Sequence, residues 1–109
     1  MARKREHLET KIKNFLEKYE DETFELLLDA VKCQKESIVK LLLGQQLDIN
    51  YQDYKGNTAL HYAAQLDSND ILNLLLENGA DVEILNDEEM TALQMAVLSG
   101  KVQNYETLA

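Results

Sequence analysis

Two histidines, one cysteine and a scatter of carboxylates are the residues of this 109-residue chain that could carry chemistry. His61 could act as an acid or base, since imidazole titrates near neutral pH, but catalysis needs further groups converging on the same point. His7 sits in a charged arm and reads as an exposed residue. Zinc would require ligands at recognisable spacing, and His7, Cys33 and His61 offer none. Glu88-Glu89 and Asp21-Glu22 are acidic pairs in turns and read as solvated charge. Gly56-Asn57-Thr58 lacks the spaced glycines and lysine of a phosphate loop. Cys33 has Lys32 and Lys35 near it in sequence, the basic neighbours that an activated thiol requires, yet a bland surface cysteine explains it as well. The sequence therefore predicts no enzyme, no cofactor and no metal site.

Whatever function the chain has must then come from a surface, and charge describes that surface first. The formal charge is -9, with no proline, four glycines and 6% aromatic residues. Residues 1–19 hold six basic and three acidic side chains, while residues 20–109 hold five basic and seventeen acidic ones. The body at -12 would repel phosphate backbones and steer a basic protein surface toward itself. The expected partner is thus a protein, with no nucleic acid. Arg3-Lys4-Arg5 is too short to argue for nuclear import over a solvated chain end. No apolar run approaches the roughly 18–20 residues that span a bilayer, and the basic N-terminus leads into no apolar signal stretch. One cysteine allows no intramolecular disulfide and suits a reducing compartment. These features predict a chain with no membrane association, intracellular, in cytoplasm or nucleus.

The elements that must present this surface are written in an internal repeat. At an offset of 33 residues, Leu27, Leu60 and Leu93 share a column, as do Ala30, Ala63 and Ala96, and Val31, Ala64 and Val97. Ile38 aligns with Ile71, and Leu41-Leu42-Leu43 with Leu74-Leu75-Leu76. Such a period marks stacked units that cannot bury their apolar faces alone. In the second unit, Asp53 to Asn57 reads as a turn and Thr58 as a helix N-cap. Leu60, Ala63 and Ala64 form a narrow apolar stripe. Asp70 to Asn78 forms a second helix, apolar on nearly all sides and so expected to be covered on two faces, and Gly79 ends it.

The run Gly56-Asn57-Thr58-Ala59-Leu60-His61-Tyr62-Ala63-Ala64, followed by Ile71-Leu72-Asn73-Leu74-Leu75-Leu76-Glu77-Asn78-Gly79-Ala80-Asp81-Val82, closely resembles the ankyrin repeat. Residues 20–52 resemble a diverged first repeat, with Glu25 and Leu28 at the usual threonine and histidine positions. Residues 86–109 begin a third, incomplete one, in which Gln94 replaces the histidine. Leu27 to Gln34 is also loosely similar to vertebrate ankyrin and coiled-coil proteins. The resemblance implies an all-α solenoid of stacked helix-turn-helix units with short β-hairpin-like fingers and a concave groove that holds protein partners. It makes His61 a hydrogen-bonding strut between neighbouring loops. It places partner-binding positions at Tyr51, Gln52, Tyr54, Lys55, Asn57, Gln65 and Leu66, extended by Leu85, Asp87, Glu88, Met90, Leu98 and Ser99. Leu42, Asp48 and Asn50 stand at the spacing of repeats whose asparagine is hydroxylated, which makes Asn50 a candidate modification site.

Two segments depart from this pattern. Where the third unit should repeat Leu74 to Leu76 it reads Thr107-Leu108-Ala109, so Val102, Tyr105 and Leu108 are left to form at most a short, slipped covering turn. That predicts a fraying end or self-association through it, and a fragment or a shortened form. In residues 1–19, Leu8, Ile12, Phe15, Leu16 and Tyr19 recur at helical spacing between charges, as a basic amphipathic capping helix would. The functional expectation is an adaptor, scaffold or inhibitor module. The alternative is a structural segment of a longer array that mainly stacks or self-associates.

Overall fold

The computed structural model of the protein describes residues 20–109, with side chains from Phe24 onward. The expected capping helix of residues 1–19, with His7 and the Arg3-Lys4-Arg5 cluster, lies outside the described residues. The remainder folds as three antiparallel helix pairs: α1 (Glu20–Lys32) with α2 (Glu36–Leu43), α3 (Ala59–Ala63) with α4 (Asp70–Glu77), and α5 (Ala92–Leu98) with α6 (Val102–Leu108). First helices pack in the order α1, α3, α5, and α2 packs beside α4. No strand occurs among the described residues, so the fingers are hydrogen-bonded turns joined by backbone and side-chain contacts.

The short first helices exist because both ends are specified. Thr58 and Thr91 are N-caps in extended conformation, and each closes a capping box. In the second unit His61 supplies the reciprocal acceptor, Nδ1 receiving the Thr58 amide at 3.1 Å. In the third, Gln94 Oε1 does the same for Thr91 at 2.8 Å. Gln94 therefore keeps the capping half of the histidine's role, which explains how the substitution is tolerated. Ala63, Ala64 and Ala96 are fully buried, allowing close helix approach within one continuous core that also holds Val31, Val39, Leu60, Leu72 and Leu75.

Three expectations need correction. Asp21 and Glu22 do not lie in a turn. Positions 20–24, which align with the finger Asp53–Asn57, belong to the thirteen-residue α1. Second helices are not covered all round either: Ile38 and Leu41 on α2 face solvent. The third unit's second helix is more than a short, slipped turn, since Val102–Leu108 is a regular helix of seven residues against eight in α4. Its inward face is not the apolar trio. Val102 and Tyr105 are exposed, Leu108 is half-buried against the core, and the buried residue is Asn104. Asn104 Nδ2 donates to the carbonyls of Ala64 at 2.9 Å and Leu66 at 2.8 Å, at the end of α3. A polar side chain can replace the column's isoleucine because it satisfies buried carbonyls there.

Candidate functional site

The two fingers are built on one plan. Asp53 is buried, and its Oδ1 accepts from the amides of Lys55 at 2.9 Å and Asn57 at 3.0 Å. The backbone closes the same turn, Asp53 N donating to Asn57 O and Gly56 N to Asp53 O, both at 2.9 Å. In the next finger Asn86 takes the place of Asp53, its Oδ1 accepting from Glu88 N at 2.9 Å and Met90 N at 3.0 Å. Carboxylate or carboxamide, the side chain works as a template that folds the tip over itself. Tyr62 anchors the first template, its hydroxyl donating to Asp53 Oδ2. Burial, then this bond to a carboxylate, pushes the Tyr62 phenol up to about 12.

Neighbouring fingers are then fastened to each other. Asn86 Nδ2 donates to Asn57 Oδ1 at 2.8 Å, Asp87 N donates to Lys55 O at 3.0 Å, and Gln52 Nε2 donates to Leu85 O at 2.9 Å. His61 completes the join. Because Nδ1 accepts from Thr58 N, the proton sits on Nε2, which donates to Met90 O at 2.9 Å. With both ring nitrogens engaged and the ring buried, His61 is a strut between the second helix pair and the third finger.

What these bonds leave outside is the candidate surface. Tyr54 is 82% exposed, with the Lys55 ammonium 5.6 Å from its ring centroid. Lys55, Gln52, Leu85, Asp87 and Glu88 are exposed beside it. Asn57 is not available to a partner, since it is buried and committed to Asn86. Tyr51 is half-buried and stacked on Phe24 at 4.6 Å. Gln65 and Leu66 are half-buried, Gln65 bonding His61 O and Leu66 packing on the core. Met90 is half-buried as well. Leu98 and Ser99 are exposed but end the seven-residue α5, about 10 Å along its axis from the finger at a rise of 1.5 Å per residue. They form a separate part of the surface.

Asn50 lies between units: its amide bonds Asp48 Oδ1 at 3.0 Å and its Oδ1 accepts from Asp81 N at 2.8 Å. Cys33 is exposed, and the Lys32 ammonium is held over the Tyr62 ring at 4.4 Å from its centroid. Among the described residues, no group of three or more His, Cys, Asp or Glu side chains could hold a metal ion. Nor is any described helix long and apolar enough to cross a membrane. Asn104 is the structural residue that sequence reasoning missed. Its only signal is a polar residue in the column of Ile38 and Ile71.

The family described as "Ankyrin repeats (3 copies)" matches residues 2–86 and 27–109. The chain is an ankyrin-repeat protein. Among curated proteins it is similar to the ankyrin repeat protein FPV219 of Fowlpox virus, 35% identical over 75 residues, covering 69% of this chain and 17% of that one. It is 41% identical over 76 residues to the human ankyrin repeat and MYND domain-containing protein 1, covering 70% of this chain and 8% of that one. It is 34% identical over 79 residues to the human 2-5A-dependent ribonuclease, covering 72% of this chain and 11% of that one. The chain thus spans under a fifth of each of these relatives. Ankyrin repeats serve in general as protein-protein interaction modules and are mostly non-enzymatic, although the last of these relatives is an enzyme that carries them.

Proposed function

We propose that this ankyrin-repeat protein binds a protein partner through the paired finger tips around Tyr54, and that the partner presents a basic surface there. The observation that carries this reading is Tyr54 itself. A tyrosine 82% exposed at the tip of a finger fixed by several bonds is a rigid, amphipathic anchor. Its ring loses little conformational entropy on contact, and tyrosine is enriched among interface hot spots. Asp87 and Glu88 stand on the adjacent finger, and the body as a whole is strongly acidic. Those carboxylates would speed and orient the approach of a cationic patch, while the aromatic contact supplies most of the affinity. Leu85, exposed between the fingers, widens the apolar part of the contact.

Affinity capture from cell extract tests the reading, comparing the native chain with Tyr54→Ala and with Asp87→Lys plus Glu88→Lys. Proteins captured by the native chain should be lost with Tyr54→Ala. With the charge-reversed fingers less of them should be captured, and added salt should narrow the difference from the native chain. An identical captured set across all three chains rules out this surface.

A further inference from the structure

The tips of the two fingers meet at Asp87. Its amide donates to Lys55 O at 3.0 Å, and its Oδ1 lies 2.5 Å from where a β-carbon would stand on Gly56. The Asp87 carboxylate therefore rests on the finger that carries Tyr54, two residues before Gly56. Asp87 and the neighbouring Glu88 are exposed, and neither makes an ion pair among the described residues. Lys55, whose carbonyl holds Asp87, sends its own side chain to the tyrosine. Its ammonium stands 5.6 Å from the centroid of the Tyr54 ring, within the distance at which a ring face attracts positive charge. Because Tyr54 is 82% exposed, Lys55 leaves most of the ring open.

We infer that the partner residue seated at this tip is an arginine, its guanidinium stacked on the Tyr54 ring and its N–H groups directed at the Asp87 carboxylate. The inference rests on the reading of the finger tips as the binding surface and names what they recognise. Chemistry selects arginine over lysine. A guanidinium is flat, so it can lie on an aromatic face while its edge donates, as a fork, to a carboxylate. An ammonium is a compact, strongly hydrated point charge, and the chain already supplies one in Lys55. The incoming arginine takes the place of that lysine on the ring. Among the described residues the Lys55 ammonium makes no hydrogen bond or ion pair that this exchange would break. Glu88, on the same tip as Asp87, adds attraction from alongside.

Titration of the full 109-residue chain with hexa-arginine and with hexalysine, at equal salt and followed by nuclear magnetic resonance, tests the inference. The arginine peptide should bind about two- to fivefold more tightly, the worth of a cation–ring contact at an exposed site. It should also shift the Tyr54 ring signals and the Asp87 amide further than the lysine peptide does. Tyr54→Phe should keep the preference. Tyr54→Leu should abolish it, leaving both peptides to bind alike through charge. Asp87→Asn should weaken the preference while circular dichroism stays native. Equal affinity for the two peptides, or no binding of either, overturns the inference, and so does a preference that survives Tyr54→Leu. Capture that depends on Tyr54 without any preference for arginine would keep the finger tips as the surface and remove only the arginine.

Discussion

Glu89 occupies the finger position that Gly56 occupies one unit earlier, and both backbones turn left-handed there, at φ 59° and 76°. For a side-chain-bearing residue that conformation costs about 1–2 kcal/mol. Glu89→Gly should therefore stabilise the third finger, by about 0.5–1 kcal/mol once the glycine's greater unfolded-state freedom is set against the relief. The reverse change is forbidden by more than backbone preference. A Cβ on Gly56 would lie 2.5 Å from Asp87 Oδ1 and 2.7 Å from Asp87 N, so Gly56→Ala should push the fingers apart and destabilise. Urea melts of the two variants check both signs. Tyr62 supplies a pH dependence. Its pKa is about 12 in the folded chain against 10.0 for the free side chain, because burial and the Asp53 carboxylate both disfavour the phenolate. A raised pKa means that the contribution is whole below pH 10 and is lost as pH climbs from 10 toward 12. The Tyr62→Phe variant should lack that alkaline loss, and its difference titration in the near ultraviolet should lack one late-ionising tyrosine.

The first helices do not all end alike, and the one exception explains Asn104. After α1, Gln34 takes φ 57° and the amide of Lys35 reaches back to Ala30 O at 2.9 Å. After α5, Gly100 takes φ 70° and the amide of Lys101 reaches Ala96 O at 2.9 Å. These are left-handed helix stops that satisfy terminal carbonyls locally. After α3 the equivalent residue, Asp67, has no left-handed backbone, and its carboxylate instead pairs with Lys101, which holds it below the usual carboxylate range. The carbonyls of Ala64 and Leu66 are met from the next unit by Asn104. One helix thus depends on its neighbour for its own termination, and α6 is fixed to α3 by more than apolar contact. Asn104→Ile would restore the column's apolar type and still destabilise, by about 2–3 kcal/mol, because two buried carbonyls lose their donor. Thermal unfolding of that variant beside Val102→Ala, on the exposed side of α6, separates the effects. The Val102 variant should melt within a few degrees of the native chain.

What sequence could reveal follows from what a column records. The offset of 33 located the leucine and alanine columns, the turn and cap chemistry the N-cap at Thr58, and the family resemblance the role of His61, because those depend on residue type at fixed positions within one unit. It said less about neighbours. A column holding leucine reads identically whether or not another unit covers it, so Leu41 aligns with the half-buried Leu74 and is itself exposed. Asn104 looked like the failure of a helix because its partners are backbone carbonyls, which leave no mark in sequence. Among the finger residues, Tyr54 and Asn57 sit in equally variable columns, and only the bond to Asn86 shows that Asn57 is structural. Coverage is therefore a property of the stack, and it should govern stability more than residue type does. Leu72 and Tyr105 share a column, the first completely covered and the second half open. Leu72→Ala removes three carbons from a packed interior and should cost about 2–5 kcal/mol. Tyr105→Ala removes a larger side chain, yet much of its surface already meets water, so the loss should be clearly smaller. Measured by urea unfolding of both variants, a Tyr105→Ala penalty equal to or above that of Leu72→Ala would mean that residue type governs stability more than coverage does.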